Sequence, residues 1–236
     1  MSEYQLALPD GERIPYRLER RSRKTIGLKI GGSGLIVHAP KRISHTALES
    51  ALLDKAGWIR KKLQQMAESR PEPMRWEDGA ALKFLGNQVK LCLRRDNRNR
   101  KVTFEQGALH LRLSDIDDGN AVAAKVMQWY KKEALTDFER RLQLYAARLG
   151  VPMPKLYLSN ARSRWGSCNS RGEVRLNWRL LQAPPHIINY VVCHELAHLK
   201  EMNHSARFWA VVESLYPDYR SAERTLKQRS AELHQF

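Results

Sequence analysis

The chain has 236 residues, 42% hydrophobic and 28% charged, with 41 Lys and Arg against 25 Asp and Glu for a net charge of +16. That composition excludes a disordered or collagen-like chain, and no run approaches the ~18 apolar residues of a membrane helix. Three cysteines, Cys92, Cys168 and Cys193, show no CxxC spacing, which excludes a disulfide framework or a cysteine zinc site. With no signal-peptide pattern at the start, a cytoplasmic protein without membrane contact is expected.

Strands come first along the chain. Ile26–Ile30 and Leu35–His38 flank a Gly31-Gly32-Ser33-Gly34 turn and read as a hairpin. Ser44 is placed to cap one helix whose apolar positions are Leu48, Leu52, Ile59, Leu63 and Met66, and Pro71 and Pro73 end it in a linker. Strands return at Leu82–Leu85, Val89–Leu93, Val102–Phe104 and Leu109–Leu113, with a Gly86-Asn87 turn after the first, and no internal repeat stands out. From 119 onward helices dominate. Leu135, Phe138, Leu142, Tyr145 and Leu149 step by three and four along one apolar face, and Gly150 is placed to stop that helix. Lys155–Leu158 and Val174–Trp178 read as strands around a polar loop from Arg162 to Gly172. The expectation is an α+β protein with a strand-rich part at 1–118 and a helical part at 119–236.

The positive charge is spread over both parts: 23 basic against 15 acidic residues up to 118, and 18 against 10 thereafter. It concentrates locally at Arg17, Arg20, Arg21, Arg23, Lys24 and Lys29, and at Arg94, Arg95, Arg98, Arg100 and Lys101. Such a field attracts nucleic acid or other polyanions, unless it serves only solubility.

Pro184-Pro185 opens a helix carrying His194-Glu195-Leu196-Ala197-His198. Residues four apart share a helix face, so both imidazoles can grip one Zn2+ ion, and Glu195 can reach a water on that ion as general base. A third ligand is needed. His204 lies six residues after His198, about 240° round an unbroken helix, so it can join only if the helix ends near Met202-Asn203 and the chain turns back. Asn203 tolerates the left-handed backbone such a turn would use, and Ser205 can cap a following helix with Phe208, Val212 and Leu215 on one face. Glu213 and Asp218 are the rival ligands.

Arg162-Ser163-Arg164-Trp165-Gly166-Ser167-Cys168, Leu176-Asn177-Trp178, the histidine helix, Asn203-His204-Ser205 with Phe208-Trp209, and Pro217-Asp218-Tyr219 resemble the YgjP-like metallopeptidase domain family. These are small zincins related to SprT-like and Wss-like proteases. The resemblance extends to Arg20–Ile26, Lys55–Ile59 and Phe84-Leu85-Gly86. It implies a zinc site of His194, His198 and His204 with Glu195 catalytic. Metzincins carry a glycine where this chain has Glu201, which sets it apart from that branch.

Small zincins present an edge strand along which a peptide substrate pairs, and Val174–Trp178 is the candidate here. Arg162, Arg164, Trp165 and Asn177 are the candidate substrate-binding residues. Arginines beside an aromatic also suit phosphate and base recognition, so a nucleotide is a second candidate substrate. The alternative is that Trp165 and Trp178 are core and the nearby arginines pair with Glu173, Glu201 or Glu213. Three functions follow: a zinc-dependent hydrolase of peptide bonds, a hydrolase of nucleoside triphosphate phosphoanhydrides, or a nucleic-acid-binding protein with an accessory or vestigial zincin.

Overall fold

The computed structural model describes residues 3–31, 34–68, 74–97 and 101–234, arranged as two compact units, Met1–Arg70 and Pro71–Phe236. The proposed division at 118 falls inside the second unit, where the strands before it and the helices after it share one core. Gly32, Ser33, Pro71, Pro73, Arg98 and Arg100 lie outside the described residues, and so do the turn centre and linker assigned to them.

The first unit consists of β1 (Glu3–Ala7), β2 (Arg13–Arg21), β3 (Gly27–Gly31), β4 (Gly34–Pro40), α1 (His45–Leu53) and α2 (Ala56–Glu68). The expected hairpin is β3–β4, in register Gly31↔Gly34. Ser44 caps α1 by accepting the Ala47 N–H at 3.2 Å. One helix was expected and two form. The break is a tight turn at Asp54-Lys55, where the Lys55 N–H donates to the Leu52 carbonyl three residues back. Leu48, Leu52 and Ile59 are still fully buried, against Leu6, Leu35 and Val37. Several arginines of the first basic cluster are engaged within the unit. Arg17 and Arg21 pair with Glu19 at 3.3 and 2.6 Å, and Arg20 donates to the Lys41 and Ile43 carbonyls, both at 3.0 Å.

The second unit opens with β5 (Ala81–Phe84), β6 (Asn87–Arg95), β7 (Val102–Glu105) and β8 (Ala108–Leu113). Their order, β5-β6-β8-β7, with antiparallel outer pairs and a parallel inner pair, repeats the β1-β2-β4-β3 arrangement of the first unit. The fold therefore contains a repeated topology that the residues do not advertise. Leu85 and Gly86, with φ of +50° and +86°, turn β5 into β6. Their N–H groups donate to the Leu181 and Gln182 carbonyls at 2.8 and 3.2 Å. A Cβ on Gly86 would come within 2.9 Å of Pro184 Cα, so glycine permits this close approach as well as the turn.

The long helix α3 (Gly119–Leu149) starts at Asp118, whose carboxylate accepts the Asn120 and Ala121 N–H groups, and stops at Gly150 with φ +67°. Phe138, Leu142 and Tyr145 are buried as expected, but Leu135 is 39% exposed. The buried stripe runs Val126, Tyr130, Ala134, Phe138, Leu142 at steps of four, which leaves Leu135 beside it. There follow β9 (Lys155–Ser159), β10 (Gly166–Cys168), β11 (Glu173–Asn177), a 3-10 segment (Trp178–Gln182), α4 (Pro185–Ala197), α5 (Ala206–Leu215) and α6 (Tyr219–Leu233). The three strands order β10-β11-β9. Val174–Trp178 is therefore not the edge: β11 is central, Trp178 has left the strand, and β10 is the free edge on its side of the sheet.

Candidate active site

The helix α4 carries the histidines because its sequence allows burial on nearly every side. Ile187, Ile188, Val192, Cys193, Leu196 and Ala197 are all fully buried, each large aliphatic side chain contributing about 1.5–3 kcal/mol. Pro185 opens the helix at its first position, where a missing N–H costs nothing. Arg141 on α3, only 6% exposed, fixes this end. It makes a two-pronged ion pair to Asp137, at 2.6 and 3.1 Å, and donates to the Asn189 side-chain oxygen.

At the other end α4 stops earlier than expected. His198 is its C-cap, and the N–H groups of Leu199, Lys200 and Glu201 donate back to the Leu196 and Ala197 carbonyls at 2.9–3.0 Å. Among the described residues no position from 198 to 204 has a positive φ. The reversal thus begins right after α4 and continues through bends at Met202 and Asn203, and Asn203 needs no left-handed backbone. Ser205 then caps α5 by accepting the Phe208 N–H at 3.3 Å.

This turn brings His204 to His194, with their Nε2 atoms 3.1 Å apart, and ring nitrogens of His194, His198 and His204 all lie within 4.8 Å of one another. Among the described residues this is the one such cluster of three or more, and Glu213 and Asp218 are outside it. Tetrahedral zinc with nitrogen ligands at about 2.0–2.1 Å separates those nitrogens by about 3.3 Å. The donor set therefore fits a divalent ion that prefers imidazole. Protonation also favours coordination: burial, with the other two imidazoles adding to it, pushes His194 down to about 3, and burial lowers His198. His198 Nδ1 donates to the Glu201 carbonyl at 3.2 Å, which turns Nε2 toward the cluster.

Aromatic rings hold the histidines in place. Phe208, fully buried, sits 4.6–5.0 Å from all three imidazole centroids. Trp209 stacks on His204 at 5.9 Å and is itself backed by Tyr219 at 5.3 Å. In the sequence Phe208 was visible as an apolar helix position, and Trp209 and Tyr219 only as parts of the family motifs.

Glu195 is 4% exposed, and burial pushes its carboxyl up to about 8 while the charge of Arg164 pulls the other way. Its Oε2 has no hydrogen-bond partner among the described residues. The carboxylate lies against the edge strand. A Cβ placed on Gly166 would be 2.6 Å from Glu195 Cγ and 2.7 Å from Cδ, and closer still to Oε1. Gly166 is thus the position where β10 can touch the Glu195 carboxylate.

The remaining candidates divide. Arg164 is exposed and acts electrostatically on Glu195, whereas Arg162 acts on His234. Trp165, half-buried, stacks on His234 at 4.0 Å and with Arg162, Tyr190 and Leu226 lines a cavity of about 390 Å³ beside β10. Asn177 is fully buried and both ends of its side chain are engaged: Nδ2 donates to the Ala161 carbonyl at 2.7 Å and Oδ1 accepts the Arg179 N–H at 3.1 Å. Its own N–H donates to the Trp165 carbonyl at 2.8 Å, which ties the start of β10 to β11. Arg171 and Arg175 lie 3.8 and 3.9 Å from Glu173. Burial pushes the Cys193 thiol up to about 12 and the Cys168 thiol up to about 11.

Two solved structures are similar to part of the chain. The crystal structure of the metallopeptidase zymogen of Pyrococcus abyssi abylysin is 26% identical, covering 39% of this chain and 93% of its own, with a TM-score of 0.36. That of the metallopeptidase zymogen of Methanocaldococcus jannaschii jannalysin is 16% identical, covering 39% and 95%, also with a TM-score of 0.36. No curated protein matches. Among the described residues no helix is long and apolar enough to cross a membrane. The model of the YgjP-like metallopeptidase domain matches residues 24–229, nearly the whole chain with the histidine cluster inside it, and the chain belongs to that family.

Proposed function

We propose that the protein hydrolyses peptide bonds with zinc held by His194, His198 and His204 and with Glu195 as general base. The observation that carries this reading is the convergence of three imidazoles on a helix whose buried carboxylate lies against a sheet edge. Bound there, zinc supplies a Lewis acid that polarises the scissile carbonyl and acidifies water. Glu195 takes the proton of the attacking water and returns it to the departing amine. The open edge of β10 pairs with the main chain of an extended peptide and draws the scissile bond toward Glu195. Arg164, whose charge is felt at Glu195, favours the carboxylate form needed before attack and in this reading supplies the positive charge that steadies an oxyanion. Trp165 and Asn177 serve by fixing β10 in place.

The test uses zinc-loaded protein with a casein-type substrate and a panel of nucleoside triphosphates, each with and without chelator. Proteolysis that the chelator abolishes is expected. Glu195→Gln should keep its zinc and lose about 10²–10⁴-fold in turnover, the usual size of a general-base contribution. Nucleotide hydrolysis without proteolysis would reassign the site to phosphoanhydrides. Full activity of metal-loaded Glu195→Gln would remove Glu195 from the chemistry.

A further inference from the structure

The outer face of the β5–β8 sheet carries an arrangement that folding alone does not favour. Along β6 the side chains alternate between buried Leu91 and Leu93 and outward Lys90, Cys92 and Arg94. Along β8 they alternate between buried Leu109 and Leu111 and outward His110 and Arg112. Arg94 and Arg112 are direct partners in the parallel β6–β8 ladder. On the other side of β8, the Arg112 N–H donates to the Lys101 carbonyl at 3.3 Å, one step before Val102 pairs with Leu111. Three exposed cations therefore occupy one rung across three neighbouring strands, each about 4.8 Å from the next.

Like charges directly opposite each other destabilise a sheet. The counter-charge on this rung is slight. Arg112 Nη1 lies 3.4 Å from Asp96 Oδ2, and among the described residues Arg94 and Lys101 have no carboxylate within ion-pair distance. The three cations line a concavity of about 360 Å³ whose wall also includes Thr103 and His110 of the next rung, two further hydrogen-bonding groups, with Leu111 beside them and one carboxylate, Glu105, two rungs from the cations. One rung beyond, Lys90 and Glu105 flank Ala108 with opposite signs, so the concentration of one sign is local to the first rung.

We infer that this face binds nucleic acid through its phosphates. Guanidinium and ammonium groups at strand spacing match phosphate oxygens, and two arginines supply paired donors. The rung spans about 10 Å over two strand spacings, which makes it a track for successive phosphates and not a pocket for one anion. The face offers no aromatic platform for a base. Phe104, on β7, turns the other way, onto Phe84 at 5.1 Å and Trp129 at 5.7 Å. Binding is accordingly independent of sequence, and the +16 charge of the chain supplies the long-range attraction. A membrane surface fits less well, because the face has no apolar side chain to insert.

The test is fluorescence anisotropy of the full chain with random-sequence 20-mers, single- and double-stranded, between 50 and 200 mM salt. The variants are the triple Arg94→Ala/Lys101→Ala/Arg112→Ala and the single Arg94→Glu, which replaces a like-charge pair by an ion pair and so retains the fold. The triple variant should lose at least tenfold in affinity at about 100 mM salt, and its log–log salt slope should flatten by about two to three units, near 0.9 per duplex phosphate contact. Arg94→Glu should melt above the parent without ligand and bind more weakly, and casein cleavage should be unchanged in both. Unaltered affinity and slope in the triple variant would overturn the inference. So would inorganic phosphate stabilising the parent as much as the oligonucleotide does, which marks a small-anion site. Equal, variant-sensitive binding to vesicles of phosphatidylserine and phosphatidylcholine would overturn it in favour of a lipid surface.

Discussion

Gly166→Ala isolates the contact between the edge strand and the carboxylate of Glu195, the proposed general base. The added Cβ would lie 2.6 Å from Glu195 Cγ and 2.7 Å from Cδ, against the 3.5–4.0 Å at which carbon atoms rest, so the carboxylate must retreat by about 1 Å. Gly166 has no positive φ, so alanine strains nothing in the backbone and the whole effect is steric. A displacement of about 1 Å in a catalytic group costs on the order of 10²-fold in rate, and overpacking at a buried site costs about 1–3 kcal/mol of stability. The expected outcome is full zinc content, a melting temperature lower by several degrees, and kcat reduced about 10²-fold with KM little changed. Elemental analysis, thermal denaturation and steady-state proteolysis measure these in turn. The decisive arm is the double variant. If Gly166 acts through Glu195, adding Gly166→Ala to Glu195→Gln should cost little further activity. Parental kcat in Gly166→Ala, or an equal further loss in the double variant, would refute the proposition that β10 positions this carboxylate.

The histidine helix was legible because its signals are local: two imidazoles four apart, an apolar flank and a proline at the start. His204 was legible as a candidate, but its route was not. The reversal after Ala197 is built without any positive φ, so it begins with no glycine or asparagine to mark it, Asn203 signals only its far end, and α4 reads as longer than it is. The edge strand was misplaced for a related reason. Gly166–Cys168 is three residues long and polar, too short for a period of two to register, and only its pairing with Val174–Leu176 makes it a strand.

Longer-range relations left still less trace. Arg141 sits mid-helix, where an arginine ordinarily reads as solvent-facing. It is buried because Asp137 lies one turn away and Asn189 reaches it from α4. The two four-stranded sheets share a strand order without a shared sequence, since ladder order depends on pairings between distant segments and each strand needs only alternation to qualify. Leu135 shows the limit of stepping by threes and fours: a helix offers several such paths, and the neighbouring core selects the one through Ala134 and Phe138.

Further outcomes follow from the same geometry. Arg141→Ala leaves Asp137 with only the exposed Arg140 as its ion-pair partner and the Asn189 side-chain oxygen without its donor, and should destabilise the fold by about 1–3 kcal/mol, visible as a lower denaturant midpoint at unchanged metal stoichiometry. His204→Ala should weaken metal binding far more than Glu213→Ala or Asp218→Ala, as read by chelator competition; the reverse order would transfer the third position to a carboxylate. Trp209→Ala tests whether the third histidine is positioned by its aromatic stack. His204 follows the turn after α4 and is the most exposed of the three, so less of the core holds its ring than holds His194 and His198. Trp209 faces it at 28° and 5.9 Å, and Tyr219 backs Trp209 at 19° and 5.3 Å, so removing the indole frees the imidazole on one side. Partners that orient a ligand typically account for about 10–100-fold in metal affinity, so a loss in that range is expected while the fold, held by Phe208 in the core, survives. His194 and His198 should retain weak residual binding. Substituting Phe for Trp209 should restore most of the loss, because a flat ring replaces a flat ring. Undiminished affinity in Trp209→Ala would mean that the turn from Leu199 to Asn203 alone places His204, and the stack would then have no part in the metal site.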